Sequence, residues 1–411
     1  MPPNSHARRS LAAWIAYDIG AHGYTLLISG VAFPIYFASY VAAGRSNTDL
    51  LWAIALGLPL LVAGLLGPWL GALADATGRR RALLYAMTVA SAVATALLVT
   101  VGAGDVARGI VLFAIAHVAH LLALSLYNSY LPLIATPNRF ARISGLAWGL
   151  SYLGSIACFF LTLPFTRGGL GPTNAGHFTG AFAVAAVFLA IIGLPAALFL
   201  PRGAPNPAAR DAPAPYRRLL ATFAEWRRDR NVPKFLLAYY LVNDGIVTAT
   251  FFTALTLRKS YGMEVQEILA LTLVLQVIAI PATIFFGWLG SRWSQRGATN
   301  LALVLWIGVL ALMASAEGRN GAILVTVALG LVLGSTQSLF RSMYAALVPI
   351  DRASEYFGFH TLMGRTSAAL GPLAFGLVSV ATGSQRIAMA SLALFFIAGG
   401  AMLASVRIPR N

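Results

Sequence analysis

Long apolar runs, separated by short clusters of Gly, Pro, Arg and Asn, follow one another along almost the whole 411-residue chain. About 20 consecutive apolar residues make a helix that crosses a bilayer. A helix also satisfies its own backbone N–H and C=O groups, which lipid cannot do. The runs predict twelve spans, at 11–41, 50–73, 82–102, 109–135, 144–165, 178–200, 232–257, 265–290, 299–316, 321–347, 355–381 and 386–406. The chain is 58% apolar and only 10% charged, whereas a soluble chain carries about 25% charged residues. A soluble enzyme, a secreted disulfide module and a disordered chain are therefore poor fits. Cys158, the sole cysteine, lies in an apolar run, which excludes a disulfide framework and a cysteine-rich metal site. The expected fold class is an all-α polytopic membrane protein with 12 transmembrane helices.

Arg8-Arg9 before an apolar stretch resembles an export signal, but Asp18 interrupts the stretch and no A-x-A-like cleavage site follows. The first run reads as an uncleaved span. The formal net charge of +16 is explained by placement. One alternate set of loops and ends holds 20 Lys and Arg residues and the opposite set 7, while Arg341 and Arg365 fall inside spans. Basic residues collect on the cytoplasmic side, so both termini and the middle loop are expected there. Nucleic-acid binding is not needed to explain the charge.

That middle loop, 201–231, divides six spans from six. Its Pro-rich start (Pro201, Pro205, Pro207, Pro213, Pro215) suits an extended linker. Tyr216, Leu219, Leu220, Phe223 and Trp226 then follow helical spacing among Arg217, Arg218, Arg227 and Arg228. This pattern predicts a short amphipathic helix lying on the anionic inner leaflet, with a regulatory partner site as the alternative. The expected organisation is an N-terminal bundle at 1–200, a linker at 201–231 and a C-terminal bundle at 232–411.

The halves also repeat. Ser125-Leu126-Tyr127-Asn128-Ser129 parallels Ser338-Leu339-Phe340-Arg341-Ser342, and Pro137, Arg139 and Gly145 parallel Pro349, Arg352 and Gly358. Tyr17-Asp18 in span 1 matches Asn243-Asp244 in span 7, and Gly71 matches Gly287. Repeated six-span halves place a solute site at their interface near the bilayer midplane.

The loop after span 2, Gly71-Ala-Leu-Ala-Asp75-Ala-Thr-Gly78-Arg79-Arg80-Arg81, resembles the G-x-x-x-D-[RK]-x-G-[RK]-[RK] signature of the major facilitator superfamily, with Ala76 where a basic residue is usual. The loop after span 8 keeps Gly287 and Arg292 but has Ser291 in place of the acid. Trp14-x-x-Tyr17-Asp18, Phe33-Pro34-x-Tyr36-Phe37, Ser151-Tyr152-Leu153-Gly154, Asn243-Asp244-Gly245, Gln337-x-x-x-Arg341-Ser342, Phe357-Gly358 and Gly371-Pro372 occur in order. The set is similar to the vacuolar amino-acid effluxer family associated with autophagy and its bacterial relatives. The resemblance implies two pseudo-symmetric six-helix bundles, with spans 1, 4, 7 and 10 central and spans 3, 6, 9 and 12 outermost. It also implies a secondary transporter in the bacterial cytoplasmic membrane.

An ionised side chain inside a membrane is costly and usually functional. Asp18, Asp244, Arg341 and Arg365 are such residues, whereas the apolar stretches of spans 3, 6, 9 and 12 carry none. Two readings stand: the four form structural ion pairs across the halves, or one carboxylate carries a proton. Arg341 and Arg365 are candidates for holding a substrate carboxylate. Asn128, Asn243, Gln337 and Tyr152 can hydrogen-bond a small zwitterion or equally bind helix to helix. His22 lies one turn beyond Asp18, and His117 and His120 share a face of span 4, suiting proton relay or polar packing better than a metal site. Gly71, Asp75, Gly78, Arg80 and Arg81 are expected to gate conformation, with Asp75 meeting the positive end of a neighbouring helix.

No phosphate-cradling loop, nucleophile elbow or HExxH pattern occurs, so neither an enzyme nor a cofactor is expected. The expected function is alternating-access secondary transport of a small polar solute, most plausibly an amino acid for export, with protons as a candidate coupling ion and a monomer in the bilayer. A multidrug or lipid-like exporter is the alternative, and a non-transporting receptor or scaffold the different class. The sidedness has a direct test in a Cys158→Ser background: a membrane-impermeant maleimide applied to intact cells should label Thr173→Cys and leave Ala208→Cys unlabelled until the cells are opened.

Overall fold

The computed structural model describes residues 5–167, 169–170, 174–203, 215–259, 261–367 and 370–408, and every regular element among them is helical. Eleven helices are long and apolar enough to cross a membrane: His6–Val41, Leu50–Thr77, Arg80–Thr100, Val106–Ile134, Pro137–Thr166, Ala175–Phe199, Asn231–Thr253, Ala270–Arg292, Gln295–Ser315, Gly318–Leu347 and Gln385–Ala404. The described residues of the remaining expected span, 355–381, include the helices Ala353–Thr366 and Leu370–Thr382, with 368–369 outside the described residues. Pro372 sits in the first turn of the second, where a residue without an N–H is tolerated. Several helices extend past the apolar runs at their basic ends. Span 5, for example, starts at Phe140 and takes in Arg142, because a helix continues through charged residues that a hydropathy count excludes.

Span 1 is less regular than its hydropathy suggests. Wide π-helical turns at Thr25–Val31 and Phe37–Val41 flank the short helix Ala32–Tyr36. Pro34, which has no N–H to give the preceding turn, lies between them. The loosened stretch is braced by aromatic packing: Phe33 stacks on Phe113 at 5.1 Å, and the Tyr36 hydroxyl donates to the Val101 carbonyl at 2.7 Å.

The helices pack as two compact units. The first comprises Met1–Ile134, Leu150–Arg218 and Ile350–Leu362, and the second Ala135–Gly149, Leu219–Pro349 and Met363–Asn411. Packing thus assigns the first turns of spans 5 and 11 to the unit opposite their place in the repeat. Span 4 is the most buried of the first unit, and spans 7 and 10 of the second, with 61% of the most apolar stretch enclosed in each. Span 1 reaches only 44%. The linker helix runs Pro215–Arg228 with Leu220 and Phe223 exposed; Pro205, Pro207 and Pro213 lie outside the described residues.

Close helix contacts depend on absent side chains. Within the second unit, a Cβ on Gly145 would stand 2.7 Å from both the Gly287 Cα and the Thr283 carbonyl oxygen. Alanine gains helix propensity over glycine by about 1 kcal/mol, but overpacking of a tight contact costs about 1–3 kcal/mol. Gly145→Ala should therefore lower the thermal unfolding midpoint. Gly308→Ala, where nothing lies within 4 Å of the added carbon, should leave it unchanged or raise it.

Candidate functional site

In the first unit, Trp14, Asp18, His22 and Thr25 recur at helical spacing along span 1 and meet spans 4 and 5. Trp14 Nε1 donates to the Tyr127 carbonyl at 3.0 Å, and the rings of Trp14 and Tyr17 stack on Tyr127 at 4.8 and 4.9 Å. The Tyr17 hydroxyl pairs with Thr88 at 2.7 Å. Asp18 is buried, with its Oδ1 3.4 Å from His22 Nδ1. The His22 ring meets Tyr152 edge-on at 6.2 Å, and Thr25 Oγ1 lies 3.0 Å from His120 Nε2. His117 packs with Phe113 and Tyr24. The structure thus gathers Asp18, His22 and Tyr152 with Thr25 and His120. Asn128 is half-buried at the last residue of the helix Val106–Asn128. Among the described residues, no three His, Cys, Asp or Glu side chains gather into a metal-binding group.

In the second unit, the consecutive residues Asn243 and Asp244 pair with groups of span 11. Asn243 Nδ2 donates to the Gly364 carbonyl at 3.1 Å and to Ser367 Oγ at 2.7 Å. Both Asp244 carboxylate oxygens lie 2.9 Å from the Gly371 N–H, in the first turn of the next helix. A helix ends in unpaired carbonyls and begins in unpaired N–H groups. An amide donor followed by a carboxylate acceptor matches that order. Gln337 Nε2 donates to Asn243 Oδ1 at 3.3 Å, and the Tyr240 hydroxyl donates to the Thr366 carbonyl at 3.3 Å.

The two arginines differ. Arg341 is buried, donating from Nε to Ser144 Oγ at 2.8 Å and from an Nη to the Ser144 carbonyl at 2.9 Å, with its guanidinium 4.9 Å from the Trp148 ring centre. Arg365 is half-buried one residue beyond Gly364 and interacts electrostatically with Tyr239. Among the described residues no hydrogen bond or ion pair engages it. Asp244 forms no ion pair with either arginine, so the structural ion-pair reading does not hold for that carboxylate: helix termini meet its needs instead.

Of the residues expected to gate conformation, Gly71 and Asp75 meet the start of span 11. Asp75 accepts from the Glu355 N–H at 2.9 Å, the Ser354 N–H at 3.3 Å and Arg80 at 2.6 Å. Arg80 also donates to the Ser129 carbonyl at 3.3 Å. A Cβ on Gly71 would collide with the Ser354 carbonyl. Gly78 ends span 2 with φ +68°, and Arg81 donates to the carbonyls of Leu198 and Leu200. The second unit repeats the device in weaker form, Ser291 Oγ accepting from the Arg142 N–H at 2.9 Å. Ser129, Ser144, Ser354 and Glu355 were not singled out in the sequence. Their signal was position: Ser129 belongs to the repeat match, and Ser144, Ser354 and Glu355 lie within three residues of matched ones.

The Asp244 geometry predicts a graded result. Asparagine caps a helix about as well as aspartate, whereas alanine costs about 0.5–2 kcal/mol. Asp244→Asn should unfold near the wild-type temperature and Asp244→Ala distinctly lower, as read by thermal unfolding in detergent.

Comparison with known proteins fits this architecture. The family described as vacuole effluxer Atg22 like matches residues 40–411. The uncharacterized MFS-type transporter YxiO of Bacillus subtilis is 25% identical over 96% of this chain and 94% of its own length. Autophagy-related protein 22 of Cryptococcus neoformans var. neoformans is 22% identical over 66% of this chain and 53% of its own, so the match spans about half of that fungal relative. Among solved structures, the human organic anion transporter MFSD10 superposes with a TM-score of 0.75 at 17% identity, covering 98% of this chain and all of the other. The Escherichia coli fucose:proton symporter FucP gives 0.74 at 14% identity, covering 98% of each. The chain has the major facilitator fold, is a transporter and not an enzyme, and belongs to the vacuole effluxer Atg22-like family.

Proposed function

We propose that this transporter exports an amino acid by alternating access, as a monomer in a bacterial cytoplasmic membrane with both termini inside. The observation that carries the substrate class is Arg365. A guanidinium inside a span without a hydrogen-bonding partner among the described residues is costly to keep there, and a planar carboxylate answers its fork of donors. Tyr239 and Gln337, with Asn243 behind it, supply hydrogen-bonding groups in the same unit. The effluxer description of the family supports the direction.

Proton coupling is assigned to Asp18 with His22. Their 3.4 Å separation lets a proton change the charge of the pair, whereas Asp244 is committed to the Gly371 N–H. Protonation on one face of the membrane and release on the other would tie solute movement to the proton gradient. The contacts of Asp75 with Ser354 and Glu355 would break and re-form in each cycle.

The test is flux of labelled amino acids in proteoliposomes with an imposed pH gradient. Wild type should respond to the gradient, Asp18→Asn should carry solute without responding, and Asp244→Asn should behave as wild type. Arg365→Gln should reduce amino-acid flux by about tenfold or more, the loss of one charge-assisted contact. Transport of hydrophobic dyes with no amino-acid flux would favour a multidrug exporter instead.

A further inference from the structure

A polar pocket lies in the second unit, and Arg365 is not among the residues that line it. It has a volume of about 890 Å³ and is bounded by the end of span 8, the start of span 9, the end of span 12 and Asn138. Its polar lining is neutral or basic, with Ser291, Ser294, Gln295, Arg296 and Arg407 and no Asp or Glu. Ser294 caps the span 9 helix by accepting from the Gly297 N–H at 2.8 Å, so the positive end of that helix faces the same region.

Among the described residues, Gln295 and Arg296 each have a buried polar atom without a partner. Arg296 Nε is enclosed without an acceptor, although another guanidinium nitrogen donates to the Val406 carbonyl. Gln295 is 8% exposed, and its Oε1 has no donor while its Nε2 makes a long 3.4 Å contact with the Pro137 carbonyl. An unpaired guanidinium N–H calls for an anionic oxygen. The unpaired amide oxygen beside it calls for a hydroxyl or ammonium.

We propose that this pocket binds a phosphate-bearing anion whose attached alcohol carries a hydrogen-bond donor. Arg296 and Arg407 hold the phosphate, and Gln295 accepts from the donor. The site lies at the ends of spans on the Arg-rich side, the level of lipid phosphates. Trp293 at its rim is 63% exposed, and tryptophan concentrates at the headgroup layer. An inner-leaflet phospholipid and a soluble phosphate compound share this chemistry.

The experiment follows the thermal unfolding midpoint of the full-length protein in detergent, titrated separately with phosphatidylglycerol, phosphatidylcholine and inorganic phosphate. A bound ligand raises the midpoint in a saturable way. Phosphatidylglycerol should do so more strongly than phosphatidylcholine, with half-saturation displaced about tenfold or more in Arg296→Gln and Arg407→Gln. Arg407→Gln leaves the Arg296–Val406 bond in place, so it reads the site even if Arg296→Gln folds poorly. Arg228→Gln, on the linker helix, should match wild type. Saturation by inorganic phosphate with the same variant dependence keeps the site and assigns it to a soluble ligand. No shift with any probe, an equal effect of phosphatidylcholine, or an equal loss in Arg228→Gln overturns the proposal.

Discussion

Inside a bilayer no water pairs with a backbone group that its own helix leaves open, and this constraint arranges the polar residues of the chain. In span 11 the Gly364 carbonyl and the Gly371 N–H take side-chain partners. Asn243 and Asp244 provide them from adjacent positions of span 7. Arg341 likewise ties span 10 to the first turns of span 5 through Ser144. These duties remove Asp244 and Arg341 from the simplest list of transport residues. They leave Arg365 in one unit and the Asp18–His22 pair in the other as the candidates for transport chemistry.

The fold was legible because hydrophobicity is a bulk property: eleven runs suffice to name eleven helices. The partners that Asn243 and Asp244 find in span 11 were not, since Gly364 and Gly371 offer only backbone groups, which a hydropathy count does not register. The π-helical turns of span 1 were hidden for the same reason, although Pro34 marks their place. At the site, residue type showed which side chains were unusual in a membrane but not what each was paired with. Asp18 and Asp244 occupy matched positions in the repeat, yet one faces an imidazole and the other a backbone amide. That difference depends on the neighbouring helix. Asp75 was the favourable case, because a carboxylate in the last turn of a helix followed by Arg79-Arg80-Arg81 has few partners available other than a helix terminus and Arg80.

The close approaches of the helices follow from the same economy of side chains. Gly71 and Gly145 admit backbone where any substituent would intrude, and the polar contacts at Asp75 and Ser291 sit immediately beside these approaches. Small residues set the spacing, and hydrogen bonds then set the register.

The two copies of that arrangement are unequal. A carboxylate grips two amides and a guanidinium in the first, whereas a single hydroxyl grips one amide in the second. Hydrogen bonds to an ionised group are roughly twice as strong as neutral ones, and a serine has no charge for acid to remove. The repeats therefore differ in both tenacity and responsiveness, and an order of yielding between them is written in one amino-acid difference.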